Sequence, residues 1–350
     1  MSDKPKARPW ESRRHFLAAV AVVGAWPAAA SAQRITTDKV PPAVAADQDV
    51  ASLKARTDAA DLLTVAVTIN GQGPFQFVVD TGAERSVIAE EVAATLSLEH
   101  GEQVVIQGIA KSVTVATVRA KTVTFGPFTR NDVLMPLLPR ATLAADGYLG
   151  LDVINGTRVT FDFKNHRLHV EQPKPIFVPH LNAFNMAPSG LEPLKPNETW
   201  LQTKGKGGRL QIVDCLVDDV PAAAFVDTGA EISVGNPALL AALKTYRKGV
   251  PDLGPIVLTG VNGGELPAEV VSVPRMNLQE LSFTESILAI ADAPDFTTWG
   301  LHDKPALLIG MNYLRQFGSV SVDYRAKQIR FELSEIPPMP RPGVAITKLG

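Results

Sequence analysis

Cysteine is almost absent from this 350-residue chain: Cys215 stands alone, which excludes an intrachain disulfide and leaves packing to hold the protein together. It sits in an apolar stretch and reads as a small core residue rather than a nucleophile. An excess of either charge is lacking too. Lys and Arg number 34 against 36 Asp and Glu, a net charge of −2, so no basic field is offered to a nucleic acid. The six histidines show no metal-ligand spacing. His166 and His169 lie three apart on a segment that reads as strand, hence on opposite faces. No metal and no other cofactor is expected. The apolar run at 16–26 is too short for a permanent membrane span. What remains is the composition of a soluble protein, 45% apolar and 20% charged, long enough to bury a core in each of two domains.

The short apolar run belongs to a targeting segment. Lys4, Lys6, Arg8, Arg13 and Arg14 precede it and Ala30-Ser31-Ala32 follows it, the order of a basic region, an apolar region and a small-residue cleavage site. Residues 1–32 are therefore expected to be a signal peptide cleaved before Gln33. Ser12-Arg13-Arg14-His15-Phe16-Leu17 is similar to a twin-arginine signal, and an ordinary secretory signal would lead to the same periplasmic or secreted destination. No cysteine follows the cleavage site, which argues against a lipid anchor there. Loss of 1–32 would take the net charge to about −5, which favours solubility and says little more. Residues 33–61, with Pro41-Pro42 and weak periodicity, read as a tether or propeptide.

The chain is rich in one thing, repetition. Residues 79–87 read VDTGAERSV and residues 226–234 read VDTGAEISV, identical at eight of nine positions. The strand pattern around the two copies repeats as well. Residues 63–69 and 75–79 flank the turn pair Asn70-Gly71; residues 210–216 and 222–226 flank Asp218-Asp219. A helix is expected at 88–98 in the first half and at 238–244, capped by Asn236-Pro237, in the second. Further short strands are expected at 104–109, 113–118, 121–125, 132–138, 158–163 and 167–170, then at 256–258, 270–273, 286–290, 319–323 and 328–332. Tyr148-Leu149-Gly150 and Leu308-Ile309-Gly310 occupy corresponding places, 70 and 83 residues beyond Asp80 and Asp227, and the excess fits a loop at 294–304. Six prolines between 171 and 200 mark a connection. The organisation that results is a lobe at 62–171, a linker at 172–206, a lobe at 207–333 and a tail at 334–350. Many short strands, little helix and an internal duplication make the fold all-β, with two related lobes.

An Asp-Thr-Gly once per lobe is what a protein needs to bring two carboxylates together on a pseudo-twofold axis. The DTGA after an apolar strand, a glycine-bearing hairpin and a later apolar-apolar-Gly resemble the retropepsin-like aspartic peptidases, over both halves. The resemblance implies two pseudo-symmetric β-barrel lobes with a cleft between them. It implies that Asp80 and Asp227 are the catalytic pair, sharing one proton because two adjacent carboxylates resist ionising together. One takes a proton from a water that attacks the scissile carbonyl, and the other donates to the carbonyl oxygen. Thr81 and Thr228 would hydrogen-bond across to the opposite loop. Gly82 and Gly229 would allow close backbone approach, and Gly150 and Gly310 would pack beneath the loops. Pepsin-like enzymes usually carry Ser or Thr after this glycine; Ala83 and Ala230 stand here, which implies a working pH nearer neutrality. Gly108 and Ile109, and Gly260 and Val261, sit where each lobe's flap should be. Substrate would be a protein or peptide bound extended between flaps and floor, with the enzyme active as a monomer.

Two points stay open in the residues. In many retropepsins the acid after DTGA pairs with an arginine following the downstream glycine, yet Leu151 and Met311 stand there. Either Arg158 or Arg315 serves Glu84 and Glu231, or these glutamates meet substrate. And the same duplicated fold could hold a peptide or envelope component without cleaving it, or need a homodimer to act.

Overall fold

The strand-turn-strand units foreseen around the repeats form because alternating apolar residues leave one face to bury and the turn residues tolerate left-handed backbone. In the computed structural model, β1 (Thr64–Ile69) has its even-spaced residues Val65, Val67 and Ile69 buried and pairs with β2 (Gln72–Val79). Asn70 and Gly71 join them at φ 51° and 77°, the twist a two-residue hairpin requires. The second half repeats the unit with β11 (Arg209–Val217) and β12 (Val220–Val226), whose turn residues Asp218 and Asp219 take φ 47° and 69°. The structure describes residues 63–143, 145–173, 197–206, 208–247 and 249–333, and the backbone of Ala345–Lys348. The expected signal peptide at 1–32 and the tether at 33–61 lie outside the described residues, as does 174–196 of the expected linker.

The remaining strands of the first half are β3 (Val87–Ala89), β4 (Glu99–Gln107), β5 (Ser112–Phe125), β6 (Phe128–Leu138), β7 (Gly147–Leu149), β8 (Arg158–Asp162) and β9 (Arg167–Glu171). Those of the second are β10 (Glu198–Lys206), β11 (Arg209–Val217), β12 (Val220–Val226), β13 (Val234–Gly235), β14 (Asp252–Thr259), β15 (Glu265–Leu278), β16 (Leu281–Ile290), β17 (Ala306–Ile309), β18 (Ser319–Asp323), β19 (Gln328–Glu332) and β20 (Ala345–Lys348). The protein is all-β with short helices. The two halves share one wiring. In the first, β2 runs parallel to β7, β7 antiparallel to β3 and β3 parallel to β6; in the second, β12, β17, β13 and β16 repeat the order and directions. Each carboxylate-bearing loop therefore leaves the end of a strand held from both sides.

Beneath the halves runs a shared antiparallel sheet in the order β9-β8-β18-β19-β10. Its centre is the pair β8–β18, where Thr160 faces Ser321 and their hydroxyls meet at 2.7 Å. This pairing places equivalent strands of the two repeats side by side about a local twofold. At its end the buried Arg158 and Asp323 form an ion pair at 3.1 Å across the halves.

Four expectations need correction. The helix at 88–98 shortens to Glu90–Thr95, because Val87 and Ile88 are drawn into pairing with β7 and β6, and sheet contacts outweigh local helix preference. The two strands at 113–118 and 121–125 are one, β5, since Arg119 and Lys121 simply face solvent while the ladder runs through them. The linker ends early: residues 198–206 form β10, whose second half folds back on β11 in a hairpin and whose first half pairs with β19 through long-range contacts that the local sequence does not announce. The loop expected at 294–304 contains the helix Pro294–Thr298, anchored by the fully buried Phe296. In the tail, Ala345–Lys348 adds a strand beside Leu281–Thr284.

Candidate active site

The two DTG loops meet. Asp80 and Asp227 leave β2 and β12 with their backbone N–H groups donating to Leu149 and Ile309, both at 3.0 Å. Thr81 and Thr228, both buried, then cross. The Thr81 hydroxyl donates to the Val226 carbonyl at 2.8 Å and accepts from the Thr228 N–H at 3.1 Å. The Thr228 hydroxyl does the reverse, donating to Val79 at 2.7 Å and accepting from the Thr81 N–H at 3.1 Å. Each loop's backbone groups are thus satisfied by the other's side chain.

The glycines after the threonines follow from that closeness. A methyl group on Gly82 would lie 2.6 Å from Asp227 Oδ1, and one on Gly229 would collide with the Asp80 carboxyl. The carboxyls are within hydrogen-bonding reach of each other. Asp80 Oδ1 accepts from the N–H groups of Gly82 at 2.8 Å and Ala83 at 3.0 Å; Asp227 Oδ1 accepts from Gly229 at 3.0 Å. Burial raises both carboxyls above the ordinary range, Asp227 to about 8, and each opposes the other's ionisation or shares its proton.

Below the loops, Gly150 and Gly310 fill places where a side chain has no room. A methyl on Gly150 would lie 2.6 Å from the Arg85 carbonyl carbon, and one on Gly310 would lie 2.7 Å from the Ala230 oxygen. Their N–H groups donate to the hydroxyls of Ser86 at 2.9 Å and Ser233 at 2.8 Å. Those serines in turn donate to Asp152 at 2.7 Å and Asn312 at 2.8 Å. Sequence reasoning missed these supports, although Ser86 and Ser233 lie inside the repeated nonapeptide. Burial raises the Asp152 carboxyl, while its two bonds from Ser86 restrain the shift.

The open question about the glutamates has two different answers. Glu231 is held by Arg315, whose Nη2 lies 3.0 Å away in a two-point contact. Glu84 reaches across to Arg209 of the second half at 2.9 Å. Arg158 pairs with Asp323 and Glu171 instead. The buried Arg209 lies over the Trp299 ring, 4.4 Å to its centroid, and Trp299 packs on Phe225, two residues before Asp227. Asp295, on the helix Pro294–Thr298 that Trp299 caps, is raised to about 6, chiefly by burial, and stands close enough to Asp80 and Asp227 for their charges to be felt. Neither Arg209 nor Asp295 was singled out by the sequence, although the unequal spacing flagged the segment that carries Asp295.

The segments expected as flaps touch at their tips. The Asn262 side chain donates to the Lys111 carbonyl at 2.9 Å, and its Oδ1 accepts from Gly264 at 3.1 Å. Gly108 and Gly260 close tight turns through bonds with Lys111 and Gly264 at 2.9 and 2.8 Å. Ile109 packs on the apolar cluster of the second half, and Val261 on the cluster that contains the first half. Among the described residues no helix is long and apolar enough to cross a membrane.

A family model described as aspartyl protease matches residues 65–153 and 213–313, more than half of the chain and both DTG regions. The chain belongs to that family. Among solved structures it is similar to a retropepsin-like aspartic protease from Rickettsia conorii, at 17% identity and a TM-score of 0.27 over 39% of this chain and 90% of that one. No curated protein matches.

Proposed function

We propose that this protein is an exported, single-chain aspartic endopeptidase that hydrolyses peptide bonds with a water activated between Asp80 and Asp227. The observation that carries the reading is the reciprocal threonine lattice: it seats two carboxyls against each other at the meeting point of two repeats, within one polypeptide. One carboxylate accepts a proton from the water as it attacks the scissile carbonyl. The other, protonated, donates to the carbonyl oxygen, and general acid–base assistance of this kind contributes about 10²–10⁴-fold. No covalent intermediate is required. The elevated Asp227 keeps a protonated partner available up to about pH 8, so activity is expected to extend toward neutrality, as the alanines at 83 and 230 also suggested.

Substrate would lie extended between the flaps and the floor, its backbone paired like an added strand. The leader at 1–32 supports export to a periplasm or beyond, and one chain supplying both aspartates supports activity as a monomer. The test is incubation of the mature protein and its Asp80→Asn and Asp227→Asn forms with a peptide library, from about pH 3 to about pH 8, read by mass spectrometry. Cleavage by wild type alone is expected. A wild type that cleaves nothing, or a variant that matches it, would mean the fold binds peptides without cutting them.

A further inference from the structure

The two repeats are nearly superposable in wiring, but the surroundings of their aspartates are not equal. Three structural differences favour charge on Asp80 over Asp227. Asp80 Oδ1 accepts two backbone N–H groups at 2.8 and 3.0 Å, while Asp227 Oδ1 accepts the Gly229 N–H at 3.0 Å and is helped less directly by the Ala230 N–H, which donates to the Asp227 carbonyl at 3.4 Å. The buried guanidinium of Arg209 is brought beside the Asp80 loop by its 2.9 Å bond to Glu84, the residue that closes that loop's DTGAE. It is clamped there from the other side by the Trp299 ring. The matching glutamate, Glu231, is served by Arg315 from its own half. Finally, the helix Pro294–Thr298, whose capping residue Trp299 packs on Phe225 two residues before Asp227, carries a third carboxyl, Asp295, toward the pair, whereas the counterpart helix of the first half, Arg140–Leu143, carries no acid.

Resting on the peptidase reading above, we propose that Arg209 and Asp295 are positioning residues that split the pair's roles: Arg209 holds Asp80 as the ionised base, and Asp295 keeps Asp227 as the proton-bearing acid. Arg209 opposes the burial of Asp80, whereas Asp295 adds to the burial and to the Asp80 charge in raising Asp227. Among the described residues Tyr148 and Tyr324 also feel the charge of the pair, and both tyrosine hydroxyls are raised, by burial first, so they stay neutral; Glu84 acts on Asp295 and Glu231 on Tyr148. In the reaction the water's proton passes to Asp80, its oxygen bonds to the carbonyl carbon, and the Asp227 proton passes to the carbonyl oxygen, so charge moves but is conserved. Two like halves then act as unlike partners from the start.

The test is the pH profile of kcat/KM on a cleaved peptide. Arg209→Met keeps the stem over Trp299 and removes the charge, so the acidic limb should move up by about 1 pH unit. Arg209→Lys should restore it. Glu84→Gln breaks the same ion pair from its other end and should leave that limb in place or move it down. Asp295→Asn should move the basic limb down. A merely structural ion pair would make Arg209→Met and Glu84→Gln behave alike and lower the rate at every pH without moving either limb; that result overturns the proposal while leaving the peptidase reading intact. ¹³C titration of labelled aspartate carboxyls in the same four variants reads the same shifts with no substrate present. Unmoved carboxyls there overturn the proposal even if no peptide is ever cut.

Discussion

Replacing Thr81 by valine keeps the side chain's shape and removes one oxygen from the crossing between the halves. That oxygen donates to the Val226 carbonyl at 2.8 Å and accepts the Thr228 N–H at 3.1 Å, in a site from which water is excluded because both threonines are buried. Valine would therefore leave one carbonyl and one N–H without partners. At about 1–3 kcal/mol for each orphaned buried group, the cost comes to about 2–6 kcal/mol. Against a typical stability of about 5–15 kcal/mol this is a large fraction. Urea unfolding followed by tryptophan fluorescence should show the midpoint fall by about 1 M or more at unchanged slope. Thr81→Ser, which retains the oxygen, should recover most of the loss. Thr228→Val should behave like Thr81→Val, and the double variant should cost less than the two together, because the two hydroxyls also meet at 3.5 Å, a contact that either variant removes. A Thr81→Val protein within about 0.5 kcal/mol of wild type, or a serine variant as weak as the valine one, would refute the claim that these bonds hold the halves in place.

Gly310→Ala should destabilise by about 1–3 kcal/mol, since the new methyl would meet the backbone oxygens of Ala230 and Ile232 at 2.7 and 2.8 Å, neither able to swing aside. Gly205→Ala, whose methyl meets only the Lys327 side chain at 3.5 Å, is the control, and equal effects in thermal melts would discount the packing argument. Asp227→Asn should stabilise the protein at neutral pH while abolishing cleavage. In the unfolded chain this carboxyl ionises from 3.8 upward, but in the fold it holds its proton to about 8, so the folded state binds more protons and stability falls as pH rises through that window. The asparagine form lacks this decline, and parallel melting-temperature curves for the two proteins between pH 4 and 8 would count against it.

How much of this was legible in one dimension differs from residue to residue. Asp80, Thr81 and Gly82, with Asp227, Thr228 and Gly229, could be picked out because the constraint on them is local and occurs twice. A tight loop ending a buried strand tolerates few residues, and duplication wrote it down two times. Ser86 and Ser233 were in view within the same nine residues, but a serine looks alike in a solvated turn and under a buried N–H, so nothing local marked their task. The strands 64–69 and 72–79 were readable from alternation and a turn pair, whereas the start of the strand at 198–206 was not, because its partner β19 lies about 130 residues away and sheet pairing has no period in sequence.

Strand alternation, turn pairs and the repeated nonapeptide, then, were sufficient for the all-β character, the pairing of two like units and the identity of the facing carboxyls, since alternation, turn chemistry and duplication are properties of neighbours along the chain. Everything that makes the two units unlike was decided in three dimensions. Arg209 meets Glu84 across 125 residues, and Asp295 arrives on a helix whose counterpart in the first unit, Arg140–Leu143, carries no acid. Electrostatic effect depends on distance through space and on exclusion of water, and neither quantity exists until the chain has folded.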